Sequence, residues 1–176
     1  MFGLFKKKNQ GATVTDFVTI SETAKWHNLL DKWKANPQLI FICWFEETYD
    51  KTVSYFSQNE ADTGTILLAR EAASHHLHNK TVLFTEHHPS KIKEDELYEK
   101  LNLQTVTVWS SLDEPIFEAF GGGRIIELMK KLGVGENEPI QHQMISNAIA
   151  NAQHKIEKKR VTELSARSQK EWIEKN

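Results

Sequence analysis

The sequence predicts an α/β protein: a single domain with a mostly parallel sheet, followed by a long C-terminal helical extension. Between Phe17 and Trp109, short apolar runs rich in β-formers alternate with segments of helical spacing, the pattern of strands joined by right-handed helical crossovers. After Pro139 neither glycine nor proline occurs up to Asn176, and Ile145, Ile149, Ala152 and Ile156 keep to one helical face.

The elements follow in order. Gly11 to Asp16 reads as a linker, and Phe17 to Ile20 as a short edge strand. Ser21 suits a helix N-cap, because its hydroxyl can accept an N–H of the first turn. Trp26, Leu29, Leu30 and Trp33 then recur at i, i+3, i+4 and i+7 until Asn36-Pro37 ends the helix. Leu39 to Phe45 is almost continuously apolar, as a central strand covered on both faces should be. Glu46 to Gln58 is the next expected helix, with Tyr49, Val53 and Phe56 on one side. Strands are expected at Thr65 to Ala69, Thr81 to Thr85 and Thr105 to Trp109, with a short helix or loop over Arg70 to Asn79 and a charged helix over Lys91 to Leu101. This is a Rossmann-like arrangement, the architecture of a helicase second lobe. The expected organisation is a flexible basic arm over 1–15, the α/β domain over 16–120 and the helical extension over 121–176.

The extension opens on glycines. Asp113 to Phe120 carries Ile116, Phe117 and Phe120 for a helical turn or two against the core. Gly121, Gly122 and Gly123 break it, since residues without Cβ can turn the backbone sharply. Ile125, Leu128, Met129 and Leu132 resume helical spacing until Gly133 and Gly135. Beyond Pro139 one helix of roughly 30 to 35 residues is expected, about 50 Å long at ~1.5 Å per residue.

Composition narrows the function. The chain has 176 residues and a net charge of −2, with lysines interspersed among acids and arginine only at positions 70, 124, 160 and 167. A nucleic-acid footprint is therefore not expected. The length suits one compact domain and is too short for a two-lobe motor. Cys43, the one cysteine, lies in an apolar run and is expected to be buried and inert. No run approaches the ~20 apolar residues of a membrane span. In the arm, Phe2, Leu4 and Phe5 beside Lys6, Lys7 and Lys8 could touch an anionic membrane surface; a solubilising tail is the simpler reading.

Candidate sites are few. The carboxyl ends of the strands should gather Glu46-Glu47, Arg70-Glu71, Glu86-His87-His88 and Ser110-Ser111, where α/β sheets usually bind ligands. Glu46, Glu86 and His87 include a candidate acid and base, and Ser110 a candidate nucleophile. His75, His76, His78, His87 and His88 place five imidazoles within 14 residues, but without an HExxH pattern or a second cysteine a partial surface cluster is the default and no metal is expected. Gly121, Gly122, Gly123 and Arg124 form a candidate anion-binding turn, set against a purely structural one. Ile145, Ile149, Ile156, Leu164 and Trp172 are the candidate partner-binding stripe.

From Leu112 to Lys159 one ordered set of residues stands out: Leu112-Asp113-Glu114, Phe120-Gly121, Arg124-Ile125, Met129 to Gly133, Glu138-Pro139-Ile140 with His142, and Ala150-Asn151-Ala152-Gln153 with Lys155. Over about 50 residues it resembles SecA, the preprotein-translocase ATPase, where the second motor lobe passes into the helical scaffold. Asp16 to Lys25 and Thr85 to Ser90 resemble earlier parts of that lobe. The family's glycine, arginine and acid motif has no counterpart between Ala69 and Thr81, Lys91 to Gln104 holds no arginine, and no GxxxxGK[ST] loop occurs. The resemblance implies a link to protein export, and the departures imply a non-catalytic interaction or regulatory module without a cofactor. Such a module would dock on SecA or the translocase channel, in the cytoplasm or peripherally at the inner face of the cytoplasmic membrane. Two alternatives stay open: a nucleotide- or small-ligand-binding domain with a new site at the carboxyl edge, and a homodimer paired through the C-terminal helix.

Overall fold

The computed structural model describes residues 11–118 and 121–176; residues 1–10 of the basic arm, with the apolar and lysine positions singled out above, and Phe120 lie outside them. Five parallel strands form one sheet in the order β1-β5-β4-β2-β3. The strands are β1 (Thr13–Thr19), β2 (Ile40–Cys43), β3 (Ile66–Leu68), β4 (Val82–Phe84) and β5 (Thr105–Ser111). Helices α1 (Glu22–Ala35) and α2 (Glu46–Gln58) cover one face, where Trp26, Leu29, Leu30 and Phe56 meet Phe41, Cys43 and Trp109. Helix α3 (Lys91–Lys100) covers the other with Leu97 and Tyr98 against Ile42, Phe84 and Val108. All four β2 residues are buried, as their continuous apolar run requires. The expected α/β class is the observed one, and of the expected edge strand Phe17 to Thr19 lies on β1, which ends before Ile20.

That strand begins earlier than expected. Thr13 to Asp16 is not a linker: it pairs in register with Thr105 to Val108. The β-branched Thr13, Val14 and Thr15 suit the extended backbone, while their polar alternation conceals the strand in sequence.

Helices α4 (Pro115–Glu118), α5 (Gly122–Lys131), α6 (Gln143–Lys159) and α7 (Gln169–Lys175) make the extension. Ile116 and Phe117 of α4 and Ile149 and Ala152 of α6 close a third cluster around Val18 and Leu112. Ile140 adds an antiparallel bridge on the outer side of β1, exchanging N–H···O bonds with Val18 at 2.9 and 2.8 Å. The glycine triplet is a turn with specific needs. Gly121 is left-handed at φ 74°, and a Cβ on Gly122 would sit 2.6 Å from the Leu112 carbonyl oxygen. Gly133 is also left-handed, and Gly133 and Val134 donate to the Lys130 and Met129 carbonyls in the paired bonds of a Schellman cap.

The single long helix expected after Pro139 is not what forms. α6 stops at Lys159, Arg160 is extended (φ −69°, ψ 125°), and α7 starts afresh at a Ser168 cap. Burying Gln169 and Trp172, 4% and 3% exposed, requires the chain to turn back over the sheet. A straight helix would have carried both into water. Among the described residues no helix is long and apolar enough to cross a membrane.

Candidate functional site

The carboxyl ends of β2, β4 and β5 converge on buried polar groups. Glu86, one residue beyond Thr85 at the end of β4, is 2% exposed. Its Oε1 accepts the N–H groups of Trp44 and Phe45, both at 3.1 Å, and its Oε2 accepts the Thr48 hydroxyl at 2.7 Å. It thus holds the position at the start of α2 where a helix N-terminus would otherwise receive an anionic ligand. Burial, opposed by the Lys25 charge and aided by Glu114, pushes its carboxyl up to about 7.

Lys25 reaches in from α1, 1% exposed, and its Nζ donates to Glu114 Oε1 at 2.6 Å and to the Thr85 carbonyl at 3.0 Å. Burial works against its charge, but the Glu114 and Glu86 carboxylates hold it above the ordinary lysine value. Glu114 also accepts the Ser111 N–H at 3.0 Å. Above these three lies a cavity of about 280 Å³ edged by Glu22, Glu47, Lys51 and Asp113.

His87 and His88 face different ways and do different things. His87 places Nε2 2.9 Å from Asp16 Oδ1 and Nδ1 2.8 Å from Glu94 Oε1. Burial resists its charge, yet Glu94 and Asp16 raise its pKa to about 10, so it is an imidazolium that ties β1 and α3 to the end of β4. His88 stacks on Phe45 (5.5 Å) and meets Trp44 and Trp172 edge-on, both at 5.0 Å. Burial lowers its pKa to about 4, and its Nδ1 accepts the Ser90 N–H. Neither belongs to a surface cluster, which corrects the default reading of the histidines. His75, His76 and His78 are exposed and do not join them, and no metal-ligating group of three or more His, Cys, Asp or Glu exists among the described residues.

The C-terminal segment covers part of this edge. Gln169 accepts the Ile116 N–H at 2.8 Å and donates to the His87 carbonyl at 2.9 Å, and Gln153 donates to the His88 carbonyl at 2.8 Å. Arg167 and Arg70 both hold Glu46, at 2.7 and 2.8 Å. Ser110 is buried with its hydroxyl unpartnered, so it makes no hydrogen bond with Glu46, Glu86 or His87.

The predicted residues are therefore divided. In the stripe, Ile149 and Trp172 are buried, Ile145 and Ile156 half-buried, and Leu164 exposed; Trp172 has an intramolecular partner in His88, contrary to expectation. Gly122 is buried against Leu112, while Gly121, Gly123 and Arg124 are exposed. Sequence reasoning missed Lys25, Glu114 and Gln169. Lys25 left no signal, being one lysine among many on a helix. Gln169 had one, the Ser168 to Glu171 capping pattern that announces a new helix.

The chain is 36% identical over 105 residues, 57% of its length, to the protein translocase subunit SecA of Desulforapulum autotrophicum. It is 33% identical over 105 residues to that of Syntrophus aciditrophicus, and 38% over 80 residues, 43% of the chain, to that of Desulfotalea psychrophila. These matches cover only 12%, 12% and 9% of those relatives. No family model matches. About half of the chain is thus a SecA-like region.

Proposed function

We propose that this chain is a non-catalytic SecA-like domain that acts as an interaction or regulatory module in preprotein translocation, docking on SecA or on the translocase channel. The observation that carries this reading is Glu86: an internal carboxylate occupies the donors at the start of α2, at the sheet edge where a nucleotide phosphate would be received. Gln169, Gln153 and Trp172 close over the same edge, and no phosphate loop occurs in these residues. The similarity to SecA supplies the link to translocation.

The docking face is α5 with the start of α6. The earlier stripe is largely turned inward, whereas Leu128, Leu132 and Met144 are 52%, 68% and 72% exposed. Leu128 and Leu132, four residues apart, present large apolar side chains on one side to solvent, a feature suited to a protein contact.

The test is direct binding of the purified chain to purified SecA and to vesicles carrying the channel. Saturable binding to either, weakened by Leu128→Asp with Leu132→Asp, is expected. Binding to neither sinks the reading. Calorimetric titration with ATP and ADP forms the second arm: micromolar binding lost in Arg124→Ala would replace docking with a nucleotide function at the glycine turn.

A further inference from the structure

In this sheet β2 runs on to β3 on one side while β4 runs on to β5 on the other, so successive connections part between β2 and β4. Ligands of open α/β sheets bind in the crevice outside the carboxyl ends at such a point. One half of the crevice holds Glu86 and its donors. The other half is open.

This open half is a groove of about 440 Å³ between α3 and residues 163–166, within the size range of small-molecule sites. Its lining includes the aromatic side chains of Trp44, Phe45 and Trp172, each packed on the His88 ring at 5.0 to 5.5 Å. The lining carries three cations, Arg70, Lys93 and Lys100, and two carboxylates, Glu96 and Glu163. The Trp44 indole N–H is buried without a partner. At the rim, Arg70 and Lys93 are engaged by Glu46 and Glu163, whereas Lys100 has no ion-pair partner among the described residues.

We infer that this groove binds a planar aromatic anion, a ring carrying a carboxylate or sulfonate. The ring packs on the aromatic lining, where offset and edge-on contacts are favourable. The acid group pairs with Lys100 in a charge-assisted contact. The inference does not rest on the docking function, because Leu128, Leu132 and Met144 are no part of the groove.

The probe is anilinonaphthalene sulfonate, titrated into the full chain and followed by energy transfer from tryptophan, with uncharged phenylnaphthylamine in parallel. One saturable site per chain is expected, with the uncharged probe binding more weakly. Lys100→Glu, at an exposed position, should retain the circular dichroism spectrum and weaken the sulfonate about tenfold or more. Ala166→Trp, which fills the groove, should abolish binding. No saturable site, undiminished affinity in Lys100→Glu, or equal affinity for the two probes overturns the inference.

Discussion

Two buried titratable residues make stability depend on pH within an accessible range. Glu86 has its carboxyl pushed up from 4.5 to about 7 by burial. Since the folded value lies above the unfolded one, its contribution is complete below about 4.5 and is lost as pH rises through about 7. Glu86→Gln cannot ionise, so urea unfolding of that variant should lose the downward slope in stability between pH about 5 and about 7; an unaltered slope would contradict the assignment. His87, raised to about 10 between Glu94 and Asp16, stabilises fully below about 6.5 and progressively less up to about 10. Removing it strands two buried carboxylates, so His87→Leu is expected to cost about 3–5 kcal/mol at neutral pH by denaturant unfolding. Neither role could be read from the sequence. Asp16 and His87 are 71 positions apart, and only the β1–β5–β4 order brings them together.

At the scale of elements, legibility follows the locality of the signal. The Ser21 hydroxyl oxygen accepts the Ala24 N–H as its residue type suits it to do, the apolar run of β2 is buried throughout, and Gly133 ends α5. Each rests on neighbours within a few residues. The break after Lys159 is the opposite case, because it is set by the distant partners of Gln169 and Trp172. Two variants measure that dependence. Trp172→Ala should destabilise by about 3–5 kcal/mol, as aromatic truncation in a core does. Ser168→Ala should cost only ~1 kcal/mol, the worth of an N-cap. Thermal unfolding of the two together would show the larger loss in Trp172→Ala if burial governs the turn, and the reverse order if local capping does. Gly122→Ala should also destabilise, since its Cβ would enter the space of the Leu112 carbonyl.

For the whole molecule, the C-terminal third is part of the core and not an appendage. Val18, Leu112, Ile116, Phe117, Ile149 and Ala152 share one cluster, so residues on either side of position 120 pack together. Helix spacing had marked Ile149 correctly as apolar but could not say whether it faced this chain or another. With that face taken, pairing through α6 loses its surface, and sedimentation of the full chain across micromolar concentrations is expected to give the mass of one chain. A doubled mass, removed by Leu128→Asp, would transfer pairing to α5.

The bridge between Ile140 and Val18 has a further consequence. β1 lies at the margin of the sheet, where unpaired main-chain groups invite strands from other molecules and seed aggregation. Ile140 blocks that margin near its carboxyl end. The loop joining α5 to α6 is therefore a guard against polymerisation, and Ile140→Pro, which removes the donor to Val18, should fold and yet form fibrils sooner under agitation.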